Sequence, residues 1–183
     1  MNFMKKLFLS LGILALFTAC KKENNATETI PTEVPEVPSI TDSYMPKEYS
    51  TEQINELINT KNDTLYITNF FATWCGPCVR ELPHFTEKMT ELKGKPVKFT
   101  FISVDEKTDW GSKVADFAKE HGIEANTVLY DAANMPQDFT ARNFKEWNAS
   151  SIPFTFMRKG DKTNETVGMM TKEELSTKIK SFQ

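Results

Sequence analysis

The stretch NFFATWCGPCVRELP, Asn69 to Pro83, sets Cys75 and Cys78 two residues apart behind an apolar run. Cysteines so spaced can bind a metal, form a static crosslink or exchange electrons. A structural zinc site needs four ligands, and the chain has no second such pair and only two histidines, His84 and His121. A static crosslink over so short a loop removes little chain entropy. Cys–His nucleophilic catalysis needs a positioned histidine, and both histidines read as surface residues, one on the helix after the pair and one before a helix-ending glycine. Thiol–disulfide exchange is the chemistry left. No metal, haem or nucleotide motif appears, so no cofactor is expected.

The neighbouring elements determine how reactive the pair is. Thr64–Ala72 is a β-branched and aromatic run, expected as a buried strand. Beyond the pair, Val79, Leu82, Phe85, Met89 and Leu92 predict one side of a helix reaching about Lys93, with Gly94 as its stop and Pro83 as a kink. Cys75 therefore falls where a strand ends and a helix begins. Unpaired N–H groups and the positive end of the helix dipole favour an anion there, which lowers the Cys75 pKa and marks it as the attacking thiolate. Cys78, one turn further in, is the more enclosed resolving cysteine. Pro77 stiffens the first turn, where its missing N–H costs nothing.

Elsewhere, Ser50 with Gln53, followed by Ile54, Leu57 and Ile58, predicts a capped helix. Pro96–Asp105 reads as a strand, Asp109–Gly122 as a helix, and Asn126–Asp131 as a short strand before an irregular stretch. Pro153–Gly168 reads as a hairpin turning at Lys159-Gly160-Asp161. A closing helix follows, with a Thr171/Glu174 capping box and Leu175, Ile179 and Phe182 on one face. Alternating strands and helices with a late hairpin predict an α/β fold whose sheet has mixed pairing.

The 183 residues are 39% hydrophobic and 26% charged, enough for one domain and a further segment. Residues 1–19 read as a signal peptide: Lys5-Lys6, an apolar stretch from Leu7 to Phe17, then small residues. The apolar stretch is shorter than the ~20 residues of a membrane-spanning helix. LFTAC resembles the lipobox of bacterial lipoproteins, which implies lipidation of Cys20; an odd free thiol would be out of place in an oxidising compartment. Residues 20–49 hold four of the nine prolines and no Phe or Trp, and are expected as a disordered tether. The domain is expected over 50–183. A net charge of −3 without a Lys/Arg cluster argues against nucleic-acid binding.

The motif resembles the TlpA/ResA-like branch of the thioredoxin superfamily: membrane-tethered, extracytoplasmic thiol–disulfide oxidoreductases with the pattern Asn-Phe-Trp-Ala-Thr-Trp-Cys-x-x-Cys-x-x-Glu-x-Pro. Here Phe71 stands in place of the usual Trp. The resemblance covers roughly Ser50 to Gln183 and implies a thioredoxin fold, a central mixed sheet flanked by helices. It also implies that Asn69 occupies the place of a buried Asp in cytoplasmic thioredoxins, and that Glu81 tunes the thiols and exchanges a proton with the resolving sulfur. Trp74 would flank the reactive sulfur. Pro153 would be a cis-proline opposite the dithiol, leaving the Ile152 backbone free to pair with an extended substrate.

The leading expectation is a reductase that works through a mixed disulfide, since Gly76-Pro77 is the dipeptide of reducing thioredoxins. By resemblance its substrates are exported proteins with disulfides, apocytochrome c included. A transmembrane thiol donor would re-reduce the pair. Two alternatives stay open: an oxidant or isomerase using the same residues, and a redox-silent tethered binding module using the groove beside Pro153.

Overall fold

A computed structural model describes residues 44–183. The expected signal peptide, Cys20 and the tether up to residue 43 lie outside the described residues.

Six strands form one sheet in the order β1-β4-β3-β2-β5-β6. Strands β2 (Leu65–Phe71), β3 (Val97–Ser103), β4 (Thr127–Leu129) and β1 (Lys47–Glu48) run parallel, while β5 (Phe154–Lys159) and β6 (Lys162–Val167) are antiparallel. This is the mixed sheet with a late hairpin that the sequence predicts. Gly160, at a φ of 57°, supplies the left-handed turn residue between β5 and β6.

Alternation along β2 sorts the core onto the two faces of the sheet. Leu65, Ile67 and Phe71 pack with Leu82 and Phe85 of α2 (Gly76–Glu91) and with Leu175 and Ile179 of α5 (Lys172–Lys180). Phe70 packs on the other face with Ile54 and Ile58 of α1 (Thr51–Asn59) and an aromatic group of Phe139, Phe144, Trp147, Phe154 and Phe156. Each large apolar side chain so buried contributes roughly 1.5–3 kcal/mol. Both capping boxes form, Ser50 with Gln53 and Thr171 with Glu174.

Three local expectations are corrected. Lys47–Glu48, within the expected tether, instead pair with Val128 and Leu129, and Tyr49 N–H donates to the Leu129 carbonyl at 2.9 Å. A short edge strand needs only backbone groups and a vacant sheet edge, so a Pro-rich composition does not forbid it. The helix expected over Asp109–Gly122 is regular only at α3 (Ala115–Glu120) and opens with 3₁₀ and π turns over Lys107–Val114. The wider turn accompanies the burial of Trp110 and Val114 against Leu129, with the Trp110 indole donating to the Asp105 carbonyl at 2.9 Å. On α2, Leu82 and Phe85 are buried and Met89 and Leu92 pack against the same core as expected, but Cys78 and Glu81 complete the buried stripe and the half-buried Val79 is not in that core. The remaining short helix, α4 (Phe139–Asn143), lies in the irregular stretch before β5.

Candidate redox site

Strand β2 ends at Phe71, and a turn over Ala72–Trp74 delivers Cys75 to the start of α2. Cys75 is the N-cap residue, and its sulfur accepts a hydrogen bond from the Cys78 N–H at 3.2 Å. A backbone donor aimed at this sulfur favours its thiolate once the pair is reduced. Cys75 and Cys78 are joined by a disulfide. Both are buried, at 5% and 1% exposure, but only Cys75 lines the adjoining groove.

That groove, about 520 Å³, is bounded by Trp74, Cys75 and Pro77 on one side and by Ala149, Ser151 and Ile152 on the other. Trp74 is 65% exposed, an apolar surface beside Cys75 in the groove. The Ile152–Pro153 peptide bond is cis. The Ile152 carbonyl oxygen lies 3.7 Å from Cys75 Sγ, a contact without a proton in the disulfide state. Neither the N–H nor the carbonyl of Ile152 pairs with another backbone group among the described residues.

Behind the disulfide the polar groups are buried. Glu81 follows Cys78 by three residues on the same buried stripe and is fully buried. Its Oε1 accepts from Asn69 Nδ2 and its Oε2 from the Met170 N–H, both at 2.8 Å. Burial pushes the Glu81 carboxyl up from 4.5 to about 7, against the pull of those two hydrogen bonds. Asn69 and Thr155 are partners in the β2–β5 register and share the face toward α2; Asn69 Nδ2 also donates to Thr155 Oγ1 at 3.0 Å. Glu81 is thus withdrawn from solvent although a helix glutamate is ordinarily solvated.

The turn before Cys75 is held from below. The buried Asp105 carboxylate accepts from the Thr73 N–H at 3.0 Å, the Thr73 hydroxyl at 2.6 Å and the Ser103 hydroxyl at 2.8 Å. On the far side of the groove, Trp147 stacks on Phe154 and donates its indole N–H to the Ser151 carbonyl at 2.8 Å. Ala149, between them in sequence, takes a left-handed φ of 62°. Sequence reasoning missed Asp105, Thr155, Trp147 and the Met170 N–H. Thr155 carried a legible signal, being the one polar residue in the apolar run PFTFM.

The structure brings Cys75, Cys78, Glu81, Trp74, Ile152 and Pro153 together at one end of the sheet. The histidines depart from their expected surface placement, and both are half-buried. His84 Nδ1 lies 3.2 Å from the Met170 carbonyl oxygen, and the His121 ring packs 4.2 Å from that of Phe117. Among the described residues no group of three or more His, Cys, Asp or Glu could hold a metal ion.

Fold and site together define a thioredoxin-fold protein of the TlpA/ResA-like kind. The chain belongs to the Redoxin family, which residues 35–174 match. It is 27% identical to the thiol-disulfide oxidoreductase ResA of Geobacillus kaustophilus over 117 residues, 63% of this chain and 61% of that protein. With ResA of Bacillus subtilis it shares 28% over 120 residues, 63% of this chain and 59% of that one. The match thus spans about three fifths of the length of these relatives. The crystal structure of a thioredoxin-family thiol:disulfide interchange protein from Chlorobium tepidum aligns with a TM-score of 0.55 at 20% identity, covering 75% of this chain and 94% of that one. At that identity the likeness concerns the fold.

Proposed function

We propose that the protein is a membrane-tethered, extracytoplasmic thiol–disulfide oxidoreductase that reduces protein disulfides. One observation carries this reading: Cys75, in disulfide with Cys78, caps the N-terminus of α2 and lines a groove whose opposite wall runs from Ala149 to Ile152, just before the cis Pro153. The ResA relatives, named as thiol-disulfide oxidoreductases, support it further.

In the reduced form the Cys75 thiolate attacks one sulfur of a substrate disulfide. The other substrate sulfur leaves as a thiolate and takes up a proton. Cys78 then gives its proton to the Glu81 carboxylate and attacks Cys75 Sγ in the mixed disulfide. The second substrate sulfur departs and is protonated, so the substrate gains two electrons and two protons while the pair returns to its disulfide. The unpaired Ile152 backbone and the exposed face of Trp74 suit an extended substrate segment laid along the groove. The substrates are exported proteins with disulfides, apocytochrome c among them by family resemblance, and a transmembrane thiol donor restores the dithiol. Residues 1–19 act as a signal, and lipidated Cys20 tethers the domain through the segment that follows it.

The test is the reduction potential of the pair, by equilibration of the purified protein against a thiol buffer. A reductase gives a value near roughly −270 mV. A value near roughly −120 mV reverses the direction, and a pair that does not titrate refutes electron exchange.

A further inference from the structure

Both carboxyl oxygens of Glu81 face donors: Asn69 Nδ2 on one and the Met170 N–H on the other. That arrangement suits a carboxylate. It leaves a carboxylic acid without an acceptor for its proton. The Met170 N–H is main chain and cannot reverse its polarity. Asn69 can, because half a turn of its amide plane exchanges Nδ2 with Oδ1 and this torsion is inherently two-fold.

A second observation points the same way. Asn69 is 1% exposed, yet its Oδ1 has no hydrogen-bond donor among the described residues. A buried acceptor without a donor is uncommon and calls for a reason. Here no hydrogen bond holds the Asn69 carbonyl in place. The hydroxyl beside it, that of the fully buried Thr155, accepts from Nδ2 as the site stands and can rotate to donate to Oδ1 instead.

We propose that Asn69 is a two-position switch that matches its hydrogen bonding to the proton on Glu81. It offers N–H to the carboxylate and C=O to the acid, and Thr155 reverses its hydroxyl in step. The proposal rests on the reading of Glu81 as the proton partner of Cys78 and supplies the group that pairs the acid once it forms. The proton passes from Cys78 Sγ to Glu81 Oε1, the amide turns, and Oε1–H then donates to Asn69 Oδ1. No electron moves in this step. In the turned state Nδ2 takes the position where Oδ1 now lacks a partner, so neither orientation is locked by complete pairing. Asn69 is thus a positioning residue that acts through Glu81.

The surroundings leave Glu81 as the group to which Asn69 responds. Of the other titratable groups on α2, Cys75 and Cys78 are tied up as a disulfide and His84 Nδ1 meets the Met170 carbonyl, while Arg80, Glu87 and Glu91 are exposed and Lys88 pairs with Glu91. The exposed Glu87–Lys172 pair joins α2 to the start of α5, and Asp105 lies under the Thr73 turn. At Glu81 itself β2 brings the uncharged Asn69, which in turn bonds the Thr155 hydroxyl of β5.

The experiment follows the Asn69 side-chain amide and the Glu81 carboxyl by NMR in the oxidised, isotope-labelled protein from about pH 5 to 9, a span around a carboxyl raised by burial. The Asn69 NH₂ signals are expected to shift with the same midpoint as Glu81. In Glu81→Gln, whose amide nitrogen presents donors at every pH, they are expected to stay in the turned state throughout. Asn69→Leu removes the donor to the carboxylate and should raise the Glu81 midpoint by about one unit or more. Asn69 signals that stand still while Glu81 titrates overturn the switch but leave the proton role of Glu81 intact. A Glu81 carboxyl that does not titrate in this range overturns both, while electron exchange by the cysteine pair is judged separately from its potential.

Discussion

Asn69 on β2 and Glu81 on α2 meet at 2.8 Å, each no more than 1% exposed, one turn of helix behind Cys78. A neutral amide is thus the nearest side-chain partner of a carboxylate withdrawn from solvent. It favours the ionised form without cancelling its charge, so burial still dominates and the carboxyl is held near neutrality. A cation in the place of Asn69 would hold the proton off at all physiological pH, and a second carboxylate would hold it on.

The raised carboxyl has a consequence for stability. In the unfolded chain Glu81 ionises near 4.5, whereas in the fold it keeps its proton until about 7. Between those values the folded state binds more protons, so stability falls as pH rises; below 4.5 and above 7 the contribution is level. A gap of this size corresponds to about 3 kcal/mol. Urea titrations of the oxidised protein across that window should show the decline, and Glu81→Gln should remove it. Parallel curves for the two proteins would mean that Glu81 keeps an ordinary pKa.

The division of labour between the sulfurs is also open to test. With Cys78→Ser, a disulfide substrate should be captured on Cys75 and stay there, visible as a reductant-sensitive adduct on a gel. Cys75→Ser should give no adduct and no turnover, because Cys78 does not reach the groove. Equal trapping by the two variants would contradict the assignment.

Asp105 should matter to both stability and rate. Replacing it with Ala leaves the Thr73 N–H and the Ser103 hydroxyl without their acceptor, at a cost of roughly 1–3 kcal/mol for a buried unpaired group. Because Thr73 stands two residues before Cys75, the same change should slow disulfide reduction. Denaturant midpoints together with a reduction assay read out both effects. An unchanged rate would show that the turn holds itself.

Trp147→Phe keeps a ring over Phe154 but takes the indole donor from the Ser151 carbonyl. The expected loss is about 1 kcal/mol of stability. KM for a protein disulfide should rise while kcat changes little, since Ser151 lines the groove and the sulfurs are untouched. A fall in kcat at constant KM would place the effect on the chemistry instead.

Much of this was legible in the chain. The run from Leu65 to Phe71, the Cys75–Cys78 spacing and the two capping boxes depend on residues near one another in sequence, where period and local hydrogen bonding decide the outcome. They determined the α/β order, the hairpin and the strand-to-helix position of Cys75. Glu81 was partly legible: three residues from Cys78 and one from Leu82, it falls on the same helical stripe, although a charged side chain at that spacing reads as readily as solvated. Tertiary structure alone decided that it is sealed in, because its partners Asn69 and the Met170 N–H come from segments 12 and 89 residues away, and Thr155, which bonds Asn69, from one 74 away. The same holds for Asp105 beneath Thr73 and for the pairing of β1 with β4. Local sequence sets which groups are available; only the packing of distant strands and helices decides which of them lose water, and that loss changes what a carboxylate or an amide can do.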